Sequence, residues 1–156
     1  MKTYTVILIA LTALFAAGCG TTIAKNLTAT NDNWGIEILE ITDGPNKIGG
    51  DDKTRGIRPP PGYRYIWLNV RIENGASIAR SIDLEAFQLI SGQTITGPWH
   101  VFMIPVLLVV ANRTPTVEAK EKIERIMVFG FPVSKQLDSI QAPYVGNIFI
   151  PKQSGR

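Results

Sequence analysis

The stretch Tyr-Arg-Tyr-Ile-Trp-Leu-Asn-Val-Arg-Ile-Glu-Asn at residues 63–74 decides the fold. Successive side chains of a β-strand point to opposite faces, so every second residue of this stretch shares a face. One face is aliphatic and consists of Ile66, Leu68, Val70 and Ile72. The other face is aromatic and polar and consists of Tyr65, Trp67, Asn69 and Arg71. The alternation predicts a half-buried strand, and the Asn74–Gly75 pair that follows predicts a turn.

Shorter segments of the same character lie on both sides of this strand. Trp34, Ile36 and Ile38 alternate with smaller or polar residues, which predicts a strand over residues 34–41. Further strands are predicted at residues 81–84, 87–90, 123–131, 139–141 and 147–150. No segment after the N-terminal leader keeps a helical apolar period for more than about two turns. We therefore expect an all-β antiparallel sandwich over residues 33–151, followed by a tail at residues 152–156.

The apolar run Val-Phe-Met-Ile-Pro-Val-Leu-Leu-Val-Val at residues 101–110 fits this pattern least well. It is too short to cross a bilayer, and Pro105 interrupts it. One interpretation is a buried or sheet-switching strand that bends at Pro105. The other is an exposed apolar flap that docks a partner, because contiguous exposed apolar patches mark interaction sites. We expect the first.

Residues 1–19 have the pattern of an export signal that ends at a cysteine. Lys2 precedes an apolar segment at residues 6–17, and small residues lead directly into Cys19, the only cysteine of the chain. This apolar segment is too short to span a bilayer and has the length of a signal-peptide core. The pattern resembles the lipobox of bacterial lipoproteins, which implies cleavage before Cys19 and lipid, such as palmitate, on the new N-terminal residue. The alternative is an ordinary secretory signal with an incidental cysteine.

The lipobox resemblance divides the chain into parts. Residues 1–18 are the expected signal peptide, and residues 19–32 are the lipidated cysteine and a tether to the sandwich. The alternative for part of this tether is that Ile23 and Leu27 join the first strand. The resemblance implies a cell-envelope protein that lipid on Cys19 anchors to the membrane. In a Gram-negative host it favours the outer membrane, because Gly20 rather than an aspartate follows the cysteine.

The composition excludes several classes of function. The formal net charge is +3 and falls to +2 when Lys2 leaves with the signal peptide, which is too small an excess for a nucleic-acid binder. A lone cysteine that carries lipid forms no internal disulfide and supplies neither a nucleophile nor a metal ligand. His100 is the only histidine, so histidine-pair zinc sites are excluded, and the chain has no Gly-x-Ser-x-Gly elbow. We therefore expect no enzyme activity, no metal and no cofactor.

Two acidic pairs are weak candidates for chemistry. Asp51 and Asp52 lie in a glycine-rich loop but lack the spaced oxygen ligands of an EF-hand calcium loop. Asp83 and Glu85 would share a strand face, and two carboxylates close in space are what a glycoside hydrolase needs. Ordinary solvent-facing positions explain both pairs better.

Four motifs, taken in chain order, resemble a known family. They are Trp-Gly-Ile-Glu-Ile at residues 34–38, the strand at residues 65–74, Phe-Gln-Leu at residues 87–89 and Ile-Met-Val-Phe-Gly-Phe-Pro at residues 126–132. Together they resemble bacterial lipoproteins of uncharacterised function with a telokin-like, immunoglobulin-like fold, which a secreted mycobacterial immunoprotective antigen shares. The similarity spans residues 30–150. It departs from the family at residues 117–120, where a Pro-Gly-Glu motif is replaced, and it implies no catalytic or cofactor residue.

The best candidate binding residues are aromatic and basic. They are Arg55, Arg58, Tyr63, Tyr65 and Trp99. Such residues are enriched at interaction hot spots, and loops on a rigid sandwich carry function. The simpler interpretation is solvated loop charges beside tyrosines that pack on proline. We expect a non-catalytic binding module with an envelope protein as partner. The alternatives are a structural accessory subunit of an envelope complex and, less favoured, a hydrolase with a carboxylate pair.

Overall fold

The stretch at residues 63–74 is the central strand of the larger of two packed sheets in the computed structural model, which describes residues 20–49, 56–103 and 109–152. The strands are β1 (Thr21–Thr30), β2 (Trp34–Asp43), β3 (Tyr63–Asn74), β4 (Arg80–Ser81), β5 (Gln88–Ser91), β6 (Thr94–Thr96), β7 (His100–Met103), β8 (Thr116–Val117), β9 (Lys122–Pro132), β10 (Ser139–Ala142) and β11 (Gly146–Phe149). The expected all-β antiparallel sandwich is confirmed.

Two sheets face each other across the core. The larger has the order β1-β2-β3-β9-β7, and the smaller has the order β11-β10-β5-β6, while β4 and β8 form a separate pair. All of these pairings are antiparallel. β3 pairs with β2 and β9 along almost its whole length, which makes β3 and β9 the spine of the larger sheet.

The core follows the alternation of β3. The four aliphatic side chains of its inner face are completely buried, as the sequence predicts. They pack with buried residues of β2 and β9 and with Leu89 and Ile140 of the smaller sheet. The opposite face of β3 is the outer surface of the larger sheet, and it carries the candidate binding residues Tyr63 and Tyr65.

The expected tether at residues 19–32 differs from the structure, because Thr21–Thr30 form strand β1. β1 pairs with β2 from Thr21 opposite Asp43 to Thr30 opposite Gly35. Its threonines and apolar residues suit a half-buried edge strand, and Ile23 and Leu27 pack against the core. The sparse apolar content of this segment is therefore the mark of an edge position rather than of a linker.

Smaller differences occur between β3 and β7. The strand expected at residues 81–84 is shorter, because a 3₁₀ turn at Leu84–Ala86 interrupts it. Asp83 caps this turn, and its side chain accepts a hydrogen bond of 2.9 Å from the Glu85 backbone N–H. β6 follows β5 as a short hairpin partner that the sequence pattern does not show.

Several sequence predictions fall outside the described residues. They concern the signal peptide at residues 1–18, Cys19, Arg55, the pair Asp51 and Asp52, and residues 153–156 of the tail. Within the described residues, no helix is both long enough and apolar enough to span a membrane.

Candidate binding surface

Trp99 lies flat against the outer face of the larger sheet, where β9 has a glycine. Trp99 immediately precedes β7, and its backbone N–H donates a hydrogen bond of 2.8 Å to the Val128 carbonyl of the neighbouring strand β9. A Cβ atom on Gly130 would lie 2.1 Å from two carbon atoms of the indole ring. Only glycine therefore allows the indole to approach the strand this closely.

Two tyrosines of β3 complete this arrangement. Tyr65 is the cross-strand neighbour of Gly130, and its ring meets Trp99 edge to face with centroids 6.3 Å apart. The Tyr63 ring also contacts the Trp99 indole, with ring centroids 5.9 Å apart and an angle of 39° between the planes. Aromatic pairs at these distances and angles are stabilising. We call Tyr63, Tyr65 and Trp99 the aromatic patch.

The aromatic patch has a buried base and an exposed top. Tyr65 is only 1% exposed, whereas Trp99 is 37% and Tyr63 is 42% exposed. Burial raises the pKa of the Tyr65 hydroxyl, so this residue is neutral at physiological pH. The patch therefore offers an uncharged aromatic surface whose rings are held from below.

A second apolar cluster supports the patch from the side. It consists of Ile48, Tyr65, Phe102, Ile126 and Val128, with Trp67 packed against it. The loop after β2 covers part of this cluster, since Ile48 pairs with Ile57 through backbone hydrogen bonds of 2.8 and 2.9 Å. The Trp67 indole N–H donates to the Pro45 carbonyl at 2.9 Å. These contacts hold Pro45, Ile48 and Ile57 on the outer face beside the aromatic patch.

The basic residues near the aromatic patch differ in exposure and in their contacts with the rest of the fold. Arg58 is exposed and forms no ion pair with any residue that the structure describes. Arg64 has a structural role, because it forms an ion pair with Asp43 at 3.3 Å and donates a hydrogen bond of 2.9 Å to the Lys135 carbonyl. Three of the five candidate residues, those of the aromatic patch, are thus brought together.

The other half of the outer face is polar. Arg71 lies between two carboxylates and pairs with Glu37 at 2.8 Å and with Glu124 at 2.7 Å. These hydrogen bonds raise the pKa of Arg71, with the Glu124 bond contributing most. The ion pairs around Arg71 therefore make one end of the outer face charged, whereas the end with the aromatic patch is apolar.

The apolar run at residues 101–110 combines buried and exposed positions. Val101 and Phe102 in β7 are buried, while Val109 and Val110 are exposed. Phe102 and Val110 form an antiparallel bridge, so the chain has reversed direction between them, and residues 104–108 lie outside the described range. The expected burial therefore holds for Val101 and Phe102 but not for Met103, Val109 and Val110, and the bend expected at Pro105 lies outside the described residues.

The candidates for chemistry have structural roles. Asp83 caps the 3₁₀ turn, and Glu85 forms an ion pair with Arg113. His100 stacks on Phe102, and burial, with a smaller effect from Arg113, lowers its pKa. Among the described residues, no group of three or more His, Cys, Asp or Glu side chains is placed to hold a metal ion.

A cleft of about 590 Å³ opens at the end of the sandwich where β1 begins. Its lining comes from four places: the start of β1, the Asp43–Arg64 pair, residues 136–138 before β10, and the end of β11 with the residues that follow it. Thr21, Phe149 and Lys152 lie on it together. Sequence reasoning missed this cleft, because its walls come together only when β1 and β11 close one side of the sandwich.

No protein-family model matches this chain, and none of the curated proteins matches it. Among solved structures, it is similar to a conserved hypothetical protein from Bacillus anthracis, with a TM-score of 0.64 at 11% identity, over 85% of this chain and 97% of that one. An uncharacterised β-sandwich protein from Clostridium difficile is similar with a TM-score of 0.53 at 12% identity, over 81% of this chain and 89% of that one.

A third similar structure comes from Bacillus subtilis and is described as a "putative lipoprotein (ycdA)". Its TM-score is 0.55 at 16% identity, over 85% of this chain. This chain spans only 36% of the length of that protein. At such low identities the likeness concerns the fold, and the chain accordingly has the fold of a group of bacterial β-sandwich proteins whose functions are uncharacterised.

Proposed function

We propose that this protein is a lipid-anchored lipoprotein of the telokin-like, immunoglobulin-like family, and that it binds another envelope protein through the aromatic patch without catalysis. The observation that carries the proposal is the seat of Trp99 on Gly130. The indole is fixed by close packing from below and by Tyr65 at its edge, yet more than a third of its surface is open to a partner.

A rigid exposed aromatic group is well suited to binding. Tryptophan, tyrosine and arginine dominate the energetics of interfaces, and a side chain that is already ordered loses little entropy when a partner packs on it. Arg58 is an exposed cation on the loop that leads into β3 and would serve at the polar rim. The exposed Val109 and Val110 extend the apolar surface along the edge of the same sheet.

The anchor rests on the sequence of the leader. The lipobox-like approach to Cys19 supports acylation, and a structural neighbour described as a "putative lipoprotein" is consistent with it. Two acyl chains give stable attachment, whereas one gives only marginal binding. The anchor places the partner in the cell envelope.

The experiment is site-specific photo-cross-linking in intact cells. A photoreactive amino acid replaces Tyr63, which is 42% exposed, and the matched control replaces Ile95, an apolar residue of the smaller sheet that is 59% exposed. We expect one discrete protein adduct from position 63 and none from position 95. Melting temperatures of both variants should stay close to that of the wild type, because neither Tyr63 nor Ile95 belongs to the buried core and an aromatic photoreactive residue keeps the ring beside Trp99.

Three results would contradict the proposal. Equal adducts from both positions would indicate non-specific contact. Adducts with lipid alone at position 63 would show that the aromatic patch contacts the membrane surface and not a protein partner. An adduct from position 95 alone would move the binding surface to the smaller sheet.

A further inference from the structure

The first strand begins at Thr21, so a single residue separates it from Cys19. Thr21 already pairs with Asp43 at the end of β2, so Gly20 is the only residue between the cysteine and strand β1. A Cβ atom on Gly20 would lie 2.8 Å from the Gly44 carbonyl oxygen, which shows that Gly20 also packs against this end of the sheet. Because consecutive Cα atoms are ~3.8 Å apart, the Cα atom of Cys19 lies within about 8 Å of that of Thr21.

This short connection fixes which end of the sandwich meets the membrane, and the inference rests on the proposed lipid at Cys19. An acylated residue lies at the level of the lipid headgroups. The sandwich therefore lies directly on the headgroups, whereas a free tether over residues 20–32 would allow a separation of up to about 45 Å. The end that carries the start of β1 is the end that faces the lipid.

The same end carries exposed apolar and basic side chains, which we call the anchor-side rim. Its members are Val133, Lys135, Phe149 and Lys152. Phe149 is 74% exposed and lines the cleft beside Thr21. Val133 and Lys135 lie beside the cleft, because Arg64 lines the cleft and donates hydrogen bonds to the carbonyl oxygens of both residues.

The charges of this end match a lipid surface. Asp43 is neutralised by Arg64, and the Asp138 carboxylate accepts a hydrogen bond of 2.8 Å from the Gly92 N–H. Neither lysine of the rim forms an ion pair within the described part of the chain. Exposed aromatic groups combined with unpaired lysines suit the interface of a bilayer, where rings lie at headgroup level and lysines meet phosphate.

We propose that the anchor-side rim docks on the headgroups of the membrane that holds Cys19, so that the domain has one fixed orientation instead of swinging on a tether. The aromatic patch lies near the same end, because Tyr63 begins β3 beside Val133, whose N–H bonds to the Gly62 carbonyl. A partner of the aromatic patch is then met close to the membrane surface.

The test measures how close two positions lie to the lipid. The full-length lipidated protein carries Phe149→Cys labelled with a fluorophore, and the control carries Ile78→Cys. Ile78 is 61% exposed in the turn after β3, at the opposite end of the sandwich. The thiol of an acylated Cys19 does not react, so each variant takes one label. Vesicles contain phosphatidylethanolamine, phosphatidylglycerol and a lipid with a headgroup-level spin-label quencher.

We expect several-fold stronger quenching at position 149 than at position 78, and the reverse with a water-soluble quencher. The double variant Lys135→Glu with Lys152→Glu should reduce the quenching at position 149 while the protein stays bound to vesicles. Equal, weak quenching at both positions of a vesicle-bound protein would overturn the docked orientation and leave the anchor intact. A protein that does not float with the vesicles would overturn the anchor and the orientation together.

Discussion

Asn74 shows how one residue of the sequence pattern closes one end of the sandwich. It is completely buried at the end of β3, and its amide donates to the carbonyl oxygens of Ile78 and Val117 at 2.8 and 2.9 Å. Its side-chain oxygen accepts from the Ala76 N–H at 3.0 Å. The residue thereby joins the turn after β3 to the segment that precedes β9.

We expect Asn74→Ala to lower the free energy of unfolding by about 3 kcal/mol, because buried polar groups that lose their partners cost ~1–3 kcal/mol each. Chemical denaturation of the purified domain measures this change. The matched control is Asn112→Ala, since Asn112 is exposed and accepts only one local hydrogen bond, from the Thr114 N–H. Similar losses from both variants would show that the buried network contributes nothing beyond a local turn.

The sequence predicts that Asn74 lies at a turn, but it does not predict the hydrogen bonds of the Asn74 side chain. The Asn-Gly pair indicates a turn, and a turn is present, but the partners of the side chain lie as far as residue 118 and depend on the complete fold. The same holds for the aromatic patch. The residues of β3 and β9 are visible as strands, whereas the seat of Trp99 on Gly130 requires the register between them. The sequence signal for this packing is Gly130, a single glycine inside the apolar strand β9, because such a glycine often marks a close approach to the backbone.

At the level of the strand, the two faces of β9 differ: one faces the core, and the other includes Gly130 under Trp99. Its inner residues Met127, Phe129 and Phe131 fill the core, as their alternation predicts. The edge strand β1 was not predicted, because a strand at the rim of a sheet buries little and so needs few large apolar residues. Alternation therefore identifies central strands reliably and edge strands poorly, as β1 and β6 both show.

We expect Gly130→Ala to displace the Trp99 indole and to destabilise the domain by ~1–3 kcal/mol, as added groups in tightly packed sites do. The readout combines denaturation with the tryptophan emission spectrum. The control is Gly35→Ala in β2, where a Cβ atom would have its nearest neighbour at 3.5 Å and is accommodated. An unchanged emission spectrum and stability for Gly130→Ala would contradict the close packing of Trp99 on β9.

At the level of the whole molecule, the decisive feature is that the fold and the proposed anchor are almost continuous. We expect Cys19→Ser to move the protein from the membrane fraction to the soluble fraction, because the acyl chains supply the attachment. Fractionation with labelled lipid measures both partitioning and acylation. Thr22→Ser is the control, since it keeps the hydroxyl group that bonds to Glu40 and leaves the cysteine intact. Unchanged partitioning of Cys19→Ser without lipid incorporation would contradict the anchor.

The spine formed by β3 and β9 has a consequence for biogenesis. A ribosome delivers β3 first, and residues 75–121 must follow before β9 can pair with it. At ~5–20 residues per second this delay is about 2–10 s. Throughout that time the central strand of the larger sheet has one open edge, which is the kind of surface on which chains aggregate. Export in an unfolded state, which the proposed signal peptide implies, would postpone the pairing of β3 with β9 until the whole chain is available.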